Sequence, residues 1–348
     1  MKECTFIGID LHARSSYILG RRPDKSVCVS GSVPNEWAAI EPALERCDGQ
    51  RIVGLEAVGN WPWLAYGLLA RGCRVHLFHP PSMAPYRQGR AKNDRIDADL
   101  LAGFAAEPWR LKSSWLCPAD LLEIRSGLRA RRQMVDVRTG MRNRIHALLK
   151  QHNKQCPFSD LFDSSGLSWL AGQDLRPGVR ACIDSLLIVE RALTREIART
   201  QERIWPEAQG SPACRAIAAL PQAGPVTALT IALESGDMSR FRNTGSYVAH
   251  CGLAPWTFES AGKRRASGLC PKGNKALKVA YSEWAFRLLR FGGDDAFSAV
   301  RESFADRPVH DAKIMLGRKL AGAVLSLVCR REEIEIERLC RKRPDSAA

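Results

Sequence analysis

Several features that would assign this chain to a common protein class are missing from its 348 residues. The sequence has no apolar run near the roughly 20 residues that a membrane-spanning helix needs, and we find no secretory signal. Its 12 cysteines include no pair with CxxC spacing and are scattered through apolar stretches, so neither a zinc site nor a disulfide framework is indicated. We therefore expect a cytoplasmic protein with reduced thiols and no membrane contact.

A glycine-rich phosphate-binding loop is also missing. The opening segment IGID, residues 7–10, resembles the first strand of the actin and sugar-kinase class of ATPases. In that class a glycine-rich turn follows to receive phosphates, whereas here the turn reads LHAR, and no GxxxxGK[ST] motif occurs anywhere in the chain. The sequence therefore argues against an ATPase.

What the chain does have is positive charge. Lys and Arg number 52 against 37 Asp and Glu, which gives a net charge of +15, and 45% of the residues are hydrophobic. The hydrophobic fraction is that of a folded protein, and the charge favours a polyanionic partner. Nucleic acid is the ligand class that the composition indicates first.

The first third of the chain predicts an α/β domain. Strands are predicted at 4–10, 16–19, 26–30, 51–56 and 74–78, and helices at 35–47, 61–71 and 91–101. The resulting order is three strands, helix, strand, helix, strand, helix. That order is typical of a ribonuclease-H-like mixed sheet flanked by helices.

Four acids in this region have the spacing of a metal site. Asp94 and Asp97 lie one turn apart on one face of a predicted helix, while Asp99 points away from them. Asp10 and Glu56 each end a predicted strand, and strand ends can meet the following helix at one edge of a sheet. Four carboxylates from three segments would suit two Mg²⁺ ions in phosphoryl transfer. The alternative is a solvated acidic helix face with ordinary strand-end acids.

The middle of the chain predicts two long helices. Residues 119–152 combine an imperfect apolar stripe with many arginines, among them Arg125, Arg129, Arg132, Arg138 and Arg142. A second helix begins near Val179, and the pair suggests an antiparallel helical hairpin or a dimerising coiled coil. The arginines favour phosphate contact, although a solvated charged helix face would look the same.

The last third predicts helices and a basic segment. Residues 217–230 resemble a helix-hairpin-helix, with Gln222 where that motif would have a glycine, so the hairpin serves either phosphate contact or packing. Ser260 then precedes a basic segment whose charges could hold a phosphodiester, namely Lys263, Arg264, Arg265, Lys272 and Lys275. Serine is a weak nucleophile that needs a base or metal nearby. An ordinary turn serine in a basic loop is the alternative.

Taken together, these blocks resemble the DEDD transposases of insertion-sequence family 110, also called bridge-RNA-guided or seeker-RNA-guided recombinases. The resemblance covers nearly the whole chain, through IGIDLH, GLEAVGNW, KNDRIDADLLA, LPQAGPVTA, FRNTGSYVAHCGLAP, SAGKRR and KGNKALK. It implies a RuvC-like domain whose Asp10, Glu56, Asp94 and Asp97 bind Mg²⁺, and a second domain whose serine forms a phosphoserine intermediate with DNA. Ser260 inherits that role because it follows GLAP at the family's spacing. The family's serine is commonly followed by glycine, whereas here Ala261 follows, so Ser267 is the alternative nucleophile.

The resemblance also implies an organisation and partners. We expect a RuvC-like catalytic domain at 1–115, a helical coiled-coil connector at 116–206, a mainly α-helical transposase domain at 207–335 and a basic tail at 336–348. The expected partners are donor and target DNA, a structured noncoding guide RNA and further copies of the chain, as dimers that join into a tetramer. Guide pairing would supply sequence specificity while the protein recognises shape and backbone.

Two other functions stay open at this stage. One is a metal-dependent, structure-selective nuclease or Holliday-junction resolvase that uses the four acids alone. The other is a nucleic-acid-binding protein without catalysis, in which the acids are structural. An RNA-guided recombinase that excises and inserts its own element is the first hypothesis.

Overall fold

A computed structural model describes residues 4–87, 93–260, 263–269, 273–291, 297–332, 334 and 336–340. Within these ranges the side chains of residues 256–267 and 336–337 are not described. The chain divides into two compact units, Met1–Ala119 and Asp120–Ala348. In the described part of the chain, every helix is too short or too polar to cross a membrane.

The first unit is built on a five-stranded mixed sheet. Its strands and helices, in chain order, are β1 Cys4–Leu11, β2 Ser15–Arg21, β3 Val27–Pro34, α1 Trp37–Glu45, β4 Gln50–Glu56, α2 Trp61–Ala70, β5 Arg74–Phe78, α3 Pro80–Arg87 and α4 Asp94–Ala106. The strand order is β3-β2-β1-β4-β5. Strand β1 is antiparallel to β2 and parallel to β4, and β4 is parallel to β5. This arrangement is compatible with the ribonuclease-H-like domain that the sequence predicts.

Two glycines allow helix α4 to lie directly on the sheet. Gly8 and Gly54 are paired across β1 and β4. A Cβ at Gly8 would lie 1.8 Å from the carbonyl oxygen of Ala98, and one at Gly54 would lie 2.4 Å from that of Leu101. Since only glycine leaves room for backbone at that distance, the sequence fixes α4 across the two central strands.

In the residues that the structure describes, the regular secondary structure of the second unit is helical apart from one β-hairpin. Its elements are α5 Ala119–Gln151, α6 Ser164–Ala171, α7 Pro177–Gly210, α8 Pro212–Ala218, α9 Pro225–Ser235, α10 Thr244–His250, β6 Pro255–Ser260, β7 Lys263–Leu269, α11 Lys275–Phe291, α12 Ser298–Ser303 and α13 Val309–Arg330. The largest side chains buried in its core are Trp284, Tyr247 and Tyr281. Strands β6 and β7 pair antiparallel in the basic segment, where the sequence predicted no strand.

Helices α5 and α7 run antiparallel along each other. Arg131 in the first half of α5 donates to Gln201 in the second half of α7, at 3.1 Å. Arg142 near the end of α5 donates to Glu190 in the first half of α7, at 2.6 and 2.9 Å. The partners in α7 lie earlier in the chain as the residues in α5 lie later, so the two helices are antiparallel. An antiparallel helical hairpin was one of the two arrangements that the sequence suggested, and the dimerising coiled coil stays a prediction.

The turn between α8 and α9 has the backbone of a tight hairpin. Gln222, which stands where a glycine was expected, has φ of 57°, and Gly224 has φ of 68°. Arg287 donates to the carbonyl oxygens of Gln222 and Ala223, both at 2.9 Å, and Trp284 donates to that of Pro221 at 2.8 Å. These bonds tie the turn to α11, so its carbonyls contribute to packing within the unit.

Candidate functional site

The two strand-end acids lie at the same edge of the sheet. Asp10 is the next-to-last residue of β1, and Glu56 is the last residue of β4. Because β1 and β4 are parallel neighbours, their carboxyl ends meet at one edge. Both side chains are largely buried, each with 12% of its surface exposed.

Helix α4 begins at this edge with the other two acids. Asn93 caps the helix by accepting a hydrogen bond from the backbone N–H of Arg95 at 2.9 Å. Asp94 and Asp97 both fall in the first turn, where the positive end of the helix dipole favours carboxylates. Asp99 forms an ion pair with Arg21 of β2 instead, so it lies away from the pair, as the helical spacing predicted.

His12 joins Asp10 to Asp94. Its Nε2 atom lies 3.2 Å from Oδ2 of Asp10 and 3.4 Å from Oδ1 of Asp94. One potential ligand atom from each of these three residues lies within 4.8 Å of the other two. His12 was expected only in the turn LHAR and the block IGIDLH, without a role in metal binding. It is therefore a potential ligand that the sequence did not predict.

Arg87 joins Glu56 to Asp97. Its Nη1 and Nη2 atoms donate to the two carboxylate oxygens of Glu56 at 3.2 and 2.8 Å. Its Nε atom donates to Oδ1 of Asp97 at 2.8 Å. The hydrogen bonds that Arg87 donates to Glu56 and Asp97 raise the pKa of Arg87 despite partial burial. Arg87 ends α3, a helix that the sequence analysis did not predict, so its position next to the acids was missed.

The electrostatics of Asp10 show that the group is compact. Burial raises the pKa of the Asp10 carboxyl, His12 and Arg87 lower it, and the negative charges of Asp97 and Asp94 raise it further. The charges of both helix acids and of both basic side chains therefore act on the pKa of Asp10. The oxygens of the four carboxylates are donors that Mg²⁺ and Mn²⁺ accept, so the donor set fits a divalent ion.

The five arginines of α5 that were predicted to contact nucleic acid all have partners within the second unit. Arg125 and Arg129 bind the carboxylate of Glu234, which is 2% exposed. The remaining contacts join Arg132 to Glu283, Arg138 to Thr194 and Arg142 to Glu190. Their predicted role in nucleic-acid binding stays a prediction, and each of them also has a contact within the unit.

The predicted serine and its basic neighbours lie mostly outside the described side chains. The backbone of Ser260 ends β6 and pairs with Lys263, the first residue of β7. The side chains of Ser260, Ser267, Lys263, Arg264 and Arg265 are not described, and Lys272 lies outside the described residues altogether. Lys275 is the exposed first residue of α11.

Two protein-family models match the chain. A model described as transposase, for DEDD enzymes of the IS110 type, matches residues 7–154. A second, described as transposase of the IS116/IS110/IS902 family, matches residues 214–299. The first match spans all four acids and His12, and the second spans the β6–β7 hairpin.

Individual relatives agree with these models. The chain is 23% identical over 294 residues to the transposase for insertion sequence element IS1111A of Coxiella burnetii, covering 80% of this chain and 78% of that protein. It is 21% identical over 280 residues to the transposase for element IS1328 of Yersinia enterocolitica, covering 80% and 82%. A putative transposase of Sinorhizobium fredii, y4qE, is 25% identical over 211 residues, covering 60% of this chain and 51% of that protein.

Proposed function

The chain belongs to the IS110 family of transposases, and we propose that it excises and inserts its element by divalent-metal-dependent DNA strand cleavage and exchange. The observation that supports this proposal is the meeting of four acids from β1, β4 and the first turn of α4. Carboxylates brought together at a sheet edge are costly unless cations lie between them.

Asp10, Glu56, Asp94 and Asp97 would hold the divalent ions, with Mg²⁺ as the expected ion in the cell. Bound there, the ions would lower the pKa of an attacking hydroxyl and stabilise charge on the departing oxygen. The chain's own contribution is to fix the carboxylates. Strand pairing fixes Asp10 and Glu56, and the close approach of α4 to Gly8 fixes the helix that carries the other two.

Ser260 is proposed as the nucleophile of a covalent step. Its Oγ would attack the phosphorus of a DNA phosphodiester, forming an O–P bond while the bond from phosphorus to a deoxyribose oxygen breaks. The hydroxyl proton of Ser260 would pass to solvent, and the departing deoxyribose oxygen would take up a proton. In the reverse step, the sugar hydroxyl of a different strand end would attack the phosphoserine and release Ser260. This exchange reseals the DNA without an external energy source. Family resemblance and the position after GLAP support Ser260 over Ser267.

A trapping experiment tests the serine. The protein would be incubated with element-end DNA carrying a nick that lets the short product strand diffuse away, and covalent adducts would be resolved by denaturing electrophoresis. We expect Ser260→Ala to abolish the adduct and Ser267→Ala to retain it. Continued cleavage by Ser260→Ala without any adduct would instead support a metal-dependent nuclease or junction resolvase that uses the four acids alone.

The proposal includes a guide RNA and a multimeric assembly, both supported only by the family resemblance. Expression with the native flanking DNA, purification and sequencing of the bound RNA test the first. A discrete RNA from the flank, with loops matching the element ends and an insertion site, is expected, whereas heterogeneous RNA would refute guidance. Light scattering of the RNA-bound protein tests the expected dimer and tetramer, in which the two domains of different subunits would form a composite site.

A further inference from the structure

The four acids are not equivalent in their surroundings, because two different side chains divide them into pairs. His12 lies between Asp10 and Asp94, and Arg87 lies between Glu56 and Asp97. We propose that these pairs are two unequal cation sites: a tight site of Asp10, His12 and Asp94, and a weak site of Glu56 and Asp97 for which Arg87 competes. The inference rests on the proposed function, since it concerns the same carboxylates.

Asp10 and Asp94 can bind a metal ion while His12 stays beside them. A neutral imidazole nitrogen is itself a metal ligand, and Nε2 of His12 already lies within 4.8 Å of a carboxylate oxygen from Asp10 and from Asp94. Metal binding would replace two hydrogen-bond-length contacts by coordination from the same three residues. Imidazole favours first-row transition ions over Mg²⁺, so this site should prefer Mn²⁺ to Mg²⁺ more strongly than carboxylates alone would.

The second pair cannot accept a metal in the same way. Arg87 donates to both oxygens of Glu56 and to one oxygen of Asp97. A guanidinium has no lone pair to offer a metal, and a cation at coordination distance from the same oxygens would meet its positive charge. Metal binding by Glu56 and Asp97 together therefore requires that Arg87 leave. By thermodynamic linkage, the contact of Arg87 weakens metal binding by the same factor by which bound metal weakens the contact of Arg87.

Arg87 can leave without unfolding the helix that carries it. Its helix, α3, is held by Met83, which is fully buried, and by Tyr86, whose ring packs edge-to-face on Phe104 of α4 at 5.0 Å. The Arg87 side chain itself is one-third exposed. Rotation about its own bonds can thus release the carboxylates while α3 stays in place.

Titration of the full-length protein with Mn²⁺, followed by electron paramagnetic resonance of the free ion, tests the proposal. The wild type should show one tight and one weak site. Arg87→Gln should tighten the weak site at least about fivefold and leave the tight site unchanged. His12→Ala should weaken the tight site and reduce its preference for Mn²⁺ over Mg²⁺ in competition.

Arg71→Gln is the matched control. Arg71 is as exposed as Arg87 and forms an ion pair with Glu41 in the same unit, so both Mn²⁺ affinities should stay at the wild-type values. If Arg87→Gln fails to fold, Arg87→Lys is used, because an ammonium keeps the charge but loses the fork that holds both carboxylates. It should tighten the weak site by a smaller factor.

The outcomes separate this inference from the function on which it rests. If Asp10→Asn and Asp97→Asn each lose one Mn²⁺ site but the Arg87 and His12 variants titrate like the wild type, the two-site inference is wrong and the metal site stands. If the aspartate variants bind Mn²⁺ as well as the wild type does, the metal site itself is refuted. Two sites of equal affinity in the wild type would also overturn the inference.

Discussion

The buried carboxylate of Glu234 should be among the largest single contributions to the stability of the second unit. Arg129 donates to its two oxygens at 2.7 and 2.8 Å, Arg125 donates at 3.1 Å and Asn274 donates at 2.8 Å. Burial would raise the pKa of Glu234, but the Arg129 hydrogen bonds and the charge of Arg125 outweigh it and lower the pKa to about 2. The folded state therefore holds the ionised form.

The size of the effect follows from that pKa. A fall from the ordinary 4.5 to about 2 corresponds to about 3 kcal/mol at pH 7. Because the folded-state pKa is depressed, the contribution is complete above pH 4.5 and is lost as the pH falls toward 2. About 2 kcal/mol should remain at pH 3.5.

Glu234→Gln tests this reasoning, because it removes the charge but keeps the size of the side chain. We expect the free energy of unfolding to fall by about 3 kcal/mol at pH 7. Urea titration measures it through tryptophan fluorescence, to which the buried Trp284 contributes. The difference from the wild type should shrink to about 2 kcal/mol at pH 3.5. Glu283→Gln is the control: its ion pair with Arg132 is half-exposed, so it should cost less than about 1 kcal/mol. Equal losses in the two variants, or a gap that widens on acidification, would refute the reasoning.

Two further substitutions test how the fold is held together. Gly8→Ala places a Cβ 1.8 Å from the carbonyl oxygen of Ala98, so it should displace α4 and abolish Mn²⁺ binding in calorimetry, whereas Gly31→Ala, which meets nothing within 4 Å, should bind as the wild type does. Tyr247→Phe removes a hydroxyl that lies 2.8 Å from the hydroxyl of the fully buried Tyr281. Because the Tyr281 hydroxyl loses this hydrogen bond, the free energy of unfolding in urea should fall by about 1–3 kcal/mol.

The first unit was predictable because its strands carry a local signal. The order of strands and helices through β5 follows from apolar runs that end at turn residues, and the structure extends β2 and β3 by only a few residues beyond the predicted bounds. Helix α3 escaped prediction because it contains Pro80, Pro81 and Pro85, which lower the helical propensity of any eight-residue segment. Tertiary contacts of Met83 and Tyr86 compensate for that deficit.

Of the residues at the candidate site, the sequence predicted the four acids but not Arg87 or His12. A carboxylate at a strand end or in the first turn of a helix can be read from spacing, because its position depends on one element. The contacts of Arg87 and His12 depend on how α3, β1 and α4 converge, and no pairwise spacing in the sequence encodes that convergence. The hairpin of β6 and β7 was missed for a related reason, since its basic residues lack the apolar alternation of a half-buried strand.

The arginines of α5 differ in whether they already have a buried partner within the fold, and this difference predicts which of them are available to nucleic acid. Arg142 binds Glu190, whose side chain is 7% exposed, so a phosphate that took Arg142 would leave a buried carboxylate without its partner. Arg144, on the exposed part of the same helix, carries no such cost. We therefore expect Arg142→Gln to lower the free energy of unfolding by more than about 1 kcal/mol with little change in nucleic-acid affinity. Arg144→Gln should leave stability unchanged and reduce the salt dependence of RNA or DNA binding by about one ion. The reverse pattern in unfolding and salt titrations would mean that Arg142 contacts phosphate despite the partner it already has.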